Sequence, residues 1–185
     1  MIVVRTPLRI SFLGGGTDFP DYYRNHGGLV LSTAIDKYIY VIVKQRFDNM
    51  IYVNYSRKEI VENVDEIQHE LVREAMQITG VKRGVEITTL ADVPSSGTGL
   101  GSSSTVTVGL LQALYSYSGK LVTAETLARN ACEIEIGRCK KPIGMQDQYI
   151  AAYGGFREIS FEKDDVVTVS KLGLNDELIR RLNRN

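Results

Sequence analysis

The feature of the sequence that most constrains the fold is a glycine- and serine-rich segment that joins a strand to a helix. Residues 94–104 read PSSGTGLGSSS; they follow a β-branched run at 84–90 and precede an amphipathic pattern over 102–117. Alternating glycines let the backbone turn tightly and bring bare N–H groups to a ligand. A helix N-terminus adds unpaired donors and a partial positive charge. The junction therefore predicts an anion site at the start of the helix, most simply for the phosphates of a nucleotide.

Two better-known glycine loops differ from this one. A Walker loop ends in Gly-Lys-Ser/Thr, whereas serine follows Gly101 and the loop has no lysine. A dinucleotide-binding GxGxxG pattern fits Gly97 and Gly99 but places Ser102 where the third glycine belongs. A flexible linker is disfavoured because a strand and an amphipathic helix flank the segment. The predicted phosphate-binding residues are Pro94, Ser96, Gly97, Thr98, Gly99, Leu100, Gly101, Ser102, Ser103 and Ser104.

A second candidate group follows from the missing lysine, because the phosphates then need another counter-charge, for which Mg²⁺ is the usual choice. In the next predicted helix, over 123–137, Glu135 falls among the residues of the apolar face and Glu133 falls on the opposite side. A buried carboxylate is costly unless a cation or hydrogen-bond donors meet it. Glu135 is therefore a candidate Mg²⁺ ligand, with a structural ion pair as the alternative, and Ser103 is the best partner for it.

Three further residue groups are weak signals by themselves. Asp147, in the segment 142–148, is suited to accept a hydroxyl proton during phosphoryl transfer, although a turn or helix-cap role is the ordinary one beside glycine and proline. Arg9 lies in an apolar strand, where a charged residue is usually the solvent-facing member. Residues 14–18 combine glycine backbone with a carboxylate, a combination that suits hydrogen bonding to a polyol.

The remaining pattern predicts an α+β protein, because the strands cluster without strict alternation with helices. Strands are predicted at 1–6 and 8–13 (or as one bent strand), 29–35, 38–44, 50–55, 84–90, 156–161 and 165–170. A helical turn is predicted at 21–24, and helices at 65–79, 102–117, 123–137 (capped by Thr123) and 174–182.

Composition and charge narrow the expected partners. Twenty-two basic residues balance 22 acidic ones, which argues against broad nucleic-acid binding. No apolar run reaches the roughly 18 residues of a membrane span, and the first residues lack the layout of a signal peptide. Cys132 and Cys139 are seven residues apart on one predicted helix, about 10 Å, too far for a disulfide. A reduced, cytoplasmic protein is expected, with neither nucleic acid nor membrane as a partner.

Together these motifs resemble the GHMP kinase superfamily of galactokinase, homoserine, mevalonate and phosphomevalonate kinases. The loop resembles the family motif P-x-x-x-G-x-G-S-S, read as Pro94, Gly99, Gly101, Ser102 and Ser103 with one additional residue between Pro94 and Gly99, and Gly144–Gln148 resembles the galactokinase G-I-M-D-Q. Pro7–Asp18 is similar to the N-terminal P-G-R-x-N-L-I-G-E-H-T-D. Within the superfamily, the replacement of Glu-His by Gly-Gly looks most like the bacterial D-glycero-D-manno-heptose 7-phosphate kinases and related fucokinases.

The resemblance implies a ribosomal protein S5 domain 2-like fold, with a two-layer arrangement of sheet and helices. It implies phosphorylation by ATP, with Mg²⁺, of the anomeric hydroxyl of a heptose 7-phosphate. A fucose- or galactose-type sugar-1-kinase and a non-catalytic binding module are the alternatives. It implies that Asp147 and Arg9 act in catalysis and that Ser103 and Glu135 bind Mg²⁺. The implied sugar-binding residues are Gly15, Gly16, Thr17, Asp18 and Gln146.

The same resemblance gives an expected domain organisation. Residues 1–170 would form the N-terminal ATP- and sugar-binding domain, and residues 171–185 the start of a C-terminal domain whose remainder is absent from the sequence. The exposed inter-domain surface would then favour a homodimer. Two basic clusters, at 138–141 and at 57–58, are candidates for the sugar's own phosphate, although solvated surface residues are the commoner reading.

Overall fold

The computed structural model describes residues 1–94, 98–174 and 176–182. Within these ranges the strands form one seven-stranded sheet. The strands are β1 (Ile2–Leu13), β2 (Gly28–Gln45), β3 (Ile51–Asn54), β4 (Lys58–Val61), β5 (Val85–Ala91), β6 (Phe156–Phe161) and β7 (Val167–Lys171). The helices are α1 (Pro20–His26), α2 (Glu70–Thr79), α3 (Ser102–Tyr117), α4 (Ala124–Cys132), α5 (Gln146–Tyr153) and α6 (Asp176–Leu182).

The long strand β2 organises the sheet. Along one edge it pairs antiparallel with β1; along the other it pairs with β5 over residues 39–45 and with β6 over residues 28–33. The resulting order is β4-β3-β5-β2-β6-β7, and β3 and β5 run parallel. The sequence predicted two strands where β2 is continuous. The register of β1 against β2 shifts between Pro7 and Arg9, so residues 35–37 form a bulge in the pairing and not a break.

Helix α3 is the centre of the helical layer. It packs against β1, β2, α2, α4 and α5, and it is buried on most of its circumference rather than along the single predicted stripe. Gly109 permits this close approach, since a Cβ there would lie 2.9 Å from the Thr6 hydroxyl and 3.0 Å from a methyl of Val41. Because α3 is flanked on several sides, nearly every side chain of its middle turns is in the core. The predicted α+β class is confirmed.

The prediction of a helix over 65–79 is wrong for residues 65–69. A 3₁₀ turn at Val64–Glu66 is followed by extended residues, and α2 begins only at Glu70. The reason is the carboxylate of Glu59, which accepts the backbone N–H of Gln68 at 2.6 Å and of His69 at 3.1 Å. These two N–H groups therefore donate to a side chain of strand β4 and not to the carbonyls of a continuous helix. Strand β4 was not predicted from the sequence.

The helix predicted over 123–137 changes its type at its end. Thr123 is the predicted N-cap, and its Oγ1 accepts the N–H of Thr126 at 3.1 Å. Helix α4 ends at Cys132 and continues as a π-helical turn over Glu133–Arg138. Helix α5 was not predicted. It lies between glycines and has only eight residues, so it lacks the length that makes a helical period visible.

The C-terminal part follows the prediction closely. Strands β6 and β7 form the predicted hairpin, and α6 lies where a last helix was predicted. Cys132 and Cys139 are both free. In the parts of the chain that the structure describes, no helix is long and apolar enough to cross a bilayer.

Candidate active site

The glycine-rich loop lies beside a cavity at the N-terminus of α3. Gly99 and Gly101 both have left-handed backbone angles, with φ of 65° and 76°, a conformation that favours glycine. The cavity has a volume of about 370 Å³. Its walls include all the predicted phosphate-binding residues from Thr98 to Ser104. Pro94 lines a neighbouring cavity; the predicted residues Ser96 and Gly97 lie outside the described part of the chain.

A bidentate ion pair forms one wall of this cavity. The Nε of Arg9 donates to Oδ1 of Asp147 at 2.7 Å, and its Nη2 donates to Oδ2 at 2.8 Å. The third nitrogen, Nη1, donates to the carbonyl of Gly99 at 2.6 Å. Such a fork fixes the orientation of a carboxylate as well as its position. The two predicted catalytic residues, 138 positions apart in sequence, are therefore held together. Arg9 also joins them to the glycine-rich loop of residues 94–104, called the phosphate loop below.

Gly101 has a specific steric reason to be glycine. A Cβ at this position would lie 3.1 Å from Oδ2 of Asp147 and 3.3 Å from Cγ of Arg9. The loop also hydrogen bonds to strand β1, because the backbone N–H of Arg9 donates to the carbonyl of Leu100 at 3.2 Å. The loop, β1 and the first turn of α5 therefore meet at one point, next to the Asp147 carboxylate.

The second predicted pair, Ser103 and Glu135, is also in contact. The Ser103 hydroxyl donates to Oε1 of Glu135 at 2.6 Å, and the Gln148 amide donates to Oε2 at 2.7 Å. Glu135 is 0% exposed, whereas Glu133 is exposed, as the helical-face argument predicted. The carboxylate thus lies buried directly behind the first turn of α3.

This donor set fits a magnesium ion that shares its coordination with phosphates. Mg²⁺ is usually held by one or two carboxylates, several waters and the phosphates of the substrate, and not by a cage of protein ligands. Ser103 offers one hydroxyl in the first turn of α3, and Glu135 offers one buried carboxylate next to it. No group of three or more His, Cys, Asp or Glu side chains suited to a metal occurs within the described ranges. A metal here would therefore depend on the nucleotide for further ligands.

The Asp18 side chain connects the predicted sugar-binding loop, residues 14–18, to the start of α5 by hydrogen bonds. Its Oδ1 accepts the N–H of Gly16 at 3.0 Å, and its Oδ2 accepts the backbone N–H of Gln146 at 3.0 Å. Asp18 is 1% exposed. A Cβ on Gly144 would lie only 2.0 Å from Oδ2, so glycine is required where this carboxylate caps α5. A sugar hydroxyl would reach the Asp18 oxygens only if this side chain moved.

The other residues of the loop differ in accessibility. Thr17 is engaged internally: its hydroxyl donates to the carbonyl of Gly14 at 2.8 Å and accepts the N–H of Leu29 at 3.1 Å. Gly16 adopts φ of 93° with open space where a Cβ would be, and a Cβ on Gly15 would lie 3.7 Å from Nε2 of Gln146. The Oε1 of Gln146 is buried without a hydrogen-bond partner in the described residues. This atom belongs to the first residue of α5, beside the loop, and a ligand hydroxyl would satisfy it only if the side chain moved.

A larger cavity next to the phosphate loop was not predicted. It has a volume of about 650 Å³ and is bordered by β2, β5, the residues before α2, and α3. His69 and Tyr55 meet edge to face in its wall, with ring centroids 4.7 Å apart. Burial lowers the pKa of His69, an effect that the charge of Glu59 partly opposes. The Nδ1 of His69 is buried and has no partner in the described part of the chain. No local motif marks this cavity, because its walls come from distant segments.

These features fit a class of protein: an α+β domain with a glycine-rich loop at a helix N-terminus and a positioned carboxylate, of the kind used in transfer of a phosphoryl group to a small molecule. A family model described as the GHMP kinases N-terminal domain matches residues 58–155, just over half of the chain. The chain belongs to this family.

Individual relatives show which members of the family the chain resembles. The chain is 32% identical to the D-glycero-alpha-D-manno-heptose 7-phosphate kinase of Campylobacter jejuni, over 98% of this chain and 57% of that protein. It superimposes on a D-glycero-D-manno-heptose 1-phosphate kinase from Bacteroides thetaiotaomicron with a TM-score of 0.92 and 28% identity, over 98% of this chain and 63% of that one. It is also 27% identical to a galactokinase of Thermotoga petrophila, over 95% of this chain and 48% of that protein. The chain therefore spans roughly half to three-fifths of the length of these relatives.

Proposed function

We propose that this chain is the nucleotide- and sugar-binding part of an ATP-dependent sugar kinase that phosphorylates the anomeric hydroxyl of a heptose 7-phosphate. The observation that carries the proposal is the bidentate Arg9–Asp147 pair, which lines the cavity of the glycine-rich loop, while the residue before Asp147, Gln146, lies beside Gly15. A carboxylate at such a junction faces both the phosphoryl donor and the hydroxyl acceptor. The names of the heptose kinase relatives support the choice of sugar.

In the proposed mechanism Asp147 accepts the proton of the attacking hydroxyl as the phosphoryl group is transferred. Arg9 orients that carboxylate through its two hydrogen bonds and keeps a positive charge beside the transferring group. The N–H groups at the start of α3 bind the phosphate oxygens. Ser103 and Glu135 would hold Mg²⁺, which neutralises the charge of the phosphates when it is bound.

The larger cavity is the proposed site for the nucleoside of ATP. Its volume of about 650 Å³ lies in the usual range of small-molecule sites. It adjoins the phosphate cavity directly, because Ser102 and Ser103 line both. The aromatic pair of Tyr55 and His69 offers apolar surface for a base.

The proposed sugar subsite is built from Gly15, Gly16 and Gln146. Two glycines in place of larger residues leave room for a seven-carbon sugar, and Gln146 Oε1 is a free acceptor. Asp18 and Thr17 are proposed to shape this loop from the inside. Residues 1–170 form the proposed domain, and residues 171–185 are proposed to begin the next one.

The test is a coupled assay of ADP release with a panel of acceptors, carried out on the protein that contains this chain. D-glycero-D-manno-heptose 7-phosphate is expected to support turnover far better than fucose or galactose. Turnover with galactose or fucose alone would favour the galactokinase-type alternative, which the Thermotoga relative supports. Binding of nucleotide with no turnover on any acceptor would favour a non-catalytic module.

A further inference from the structure

A lysine from a distant part of the chain reaches the phosphate loop that lacks one. The Nζ of Lys141 lies 3.0 Å from the Ser103 hydroxyl, 3.2 Å from a carboxylate oxygen of Glu70 and 3.7 Å from Oε1 of Glu135. Its side chain is 23% exposed, so the ammonium is confined but still open to solvent on one side. Its position at the nucleotide site differs from that of a solvated surface lysine.

The backbone around Lys141 is built to hold this position. The π-helical turn after α4 closes with the N–H of Cys139 donating to the carbonyl of Ile134 at 2.8 Å, and such turns are frequent at functional sites. Lys140 then adopts φ of 53°, a left-handed conformation that is unfavourable for a residue with a side chain. The N–H of Lys141 donates to the carbonyl of Glu135 at 2.9 Å, which ties the lysine to the segment of the buried carboxylate.

The two cavities meet at Lys141. Ser102, Ser103 and Lys141 line both the cavity of about 650 Å³ and the cavity of about 370 Å³. A nucleotide with its base in the larger cavity and its terminal phosphate beside Asp147 must pass its phosphates between these three residues. Lys141 is the cation nearest to the Ser103 hydroxyl at this junction.

We propose that Lys141 is a nucleotide phosphate-binding residue. It would supply, from the connection between α4 and α5, the positive charge that a Walker loop supplies by a lysine of the loop itself. This inference rests on the proposed function. Without nucleotide the ammonium is shared by Glu70, Ser103 and Glu135. Ser103 and Glu135 are also the proposed metal ligands, so a bound Mg²⁺ would compete with the Lys141 ammonium for these two side chains, and the ammonium would then bind the phosphates. A lone ammonium is well suited to this exchange, since it is a compact charge on a flexible stem.

The experiment compares ligands that differ only in phosphate, measured by calorimetry with Mg²⁺ present. Lys141→Met is expected to weaken the binding of ATP and ADP by about ten- to a hundredfold, the effect of losing one charged hydrogen bond. Its affinity for adenosine is expected to stay within about twofold of the unmodified chain, because the base cavity is unchanged. Lys140→Met is the matched control, since its side chain is exposed and it precedes Lys141 directly; it is expected to bind all three ligands normally.

Each other outcome overturns the inference in a distinguishable way. If the unmodified chain binds neither ATP nor ADP, the proposed function fails and this inference fails with it. If the unmodified chain binds ATP and Lys141→Met binds it equally well, Lys141 is only an ion-pair partner, while the proposed function stands. An equal loss of ATP and adenosine would mean that Lys141 shapes the cavity and does not bind phosphate.

Discussion

At the scale of single residues, the site depends on carboxylates whose surroundings differ. Asp147 is partly exposed and held in a fork by Arg9, which leaves it at the edge of the cavity. Glu135 is buried, and its two oxygens accept hydrogen bonds from Ser103 and Gln148. Asp18 is buried and caps α5 through the N–H of Gln146. These differences in contact and exposure support three different proposed roles for the three acids: reaction for Asp147, metal binding for Glu135 and positioning for Asp18.

The role of Glu135 is tested by a change of charge alone. Glu135→Gln is expected to weaken Mg²⁺-dependent ATP binding by about tenfold or more, because the amide loses the charge that a metal requires. Glu133→Gln, two positions away and exposed, is the matched control and is expected to have no effect. The comparison is made by titrating ATP at several Mg²⁺ concentrations. Equal effects of the two substitutions would contradict the metal assignment.

The role of Asp18 as a positioning residue predicts a strict need for glycine at position 144. Gly144→Ala would place a methyl group 2.0 Å from Oδ2 of Asp18. The expected cost is about 1–3 kcal/mol of unfolding free energy, as for other overpacked sites, and it is measured by thermal or denaturant unfolding. Gly173→Ala serves as the control, because open space surrounds that position. A Gly144→Ala variant as stable as the unmodified chain would contradict the described packing of Asp18.

At the scale of elements, the junction between β4 and α2 couples stability to pH. Glu59 fixes the extended residues before α2 through two backbone hydrogen bonds, and His69 is packed there against Tyr55. Burial lowers the pKa of His69 below its usual 6.5. The unfolded chain therefore takes up a proton before the folded chain does, and the stability from this residue is lost as the pH falls below about 6.5.

Unfolding measured between pH 7.5 and pH 5 tests this linkage. The unmodified chain is expected to lose stability towards pH 5, and His69→Phe, which keeps a ring against Tyr55, is expected to lose less. His26→Phe is the control, because His26 is exposed at the end of α1. The same pH dependence in His69→Phe as in the unmodified chain would show that His69 contributes none of the slope.

The helices also show how much of the structure could be predicted from the sequence. Helix α3 and its loop were predicted from a local pattern, since strand, glycines and helix are adjacent in sequence. Glu135 was placed correctly from the helical period of α4, although the carboxylate itself lies in the π-helical turn that follows. Helix α5 was missed because it is short and bounded by glycines, so that Asp147 was expected in a turn or at a helix cap and lies in the first turn of a helix.

Other parts of the site had no local signal at all. The position of Lys141 depends on a π-helical turn and on a left-handed Lys140, and neither is visible in a pattern of apolar residues. The larger cavity depends on how β2, β5 and α3 meet in three dimensions. The burial of Asp18 follows from a contact with Gly144, which is more than a hundred residues away in sequence. The cavity and the Asp18–Gly144 contact are long-range, and the turn before Lys141 is irregular, so none of them follows from a periodic pattern of residue types.

At the scale of the whole molecule, the sheet brings the two ends of the site together. Strand β1 carries Arg9 and leads into the glycine loop of the sugar subsite, while α5 carries Asp147 and Gln146 from the far end of the chain. Helix α3 lies between them and presents the phosphate loop to both. We propose that Asp147, at this meeting point, takes part in phosphoryl transfer and not in the binding of nucleotide.

The most direct measurement of that claim compares Asp147→Asn with the unmodified protein in two assays, phosphoryl transfer from ATP to heptose 7-phosphate and equilibrium binding of ATP. Transfer is expected to fall by about 10²- to 10⁴-fold, the usual contribution of a general base, while the affinity for ATP changes by less than about threefold. Transfer that continues at the unmodified rate, or a loss of ATP binding equal to the loss of transfer, would contradict the account.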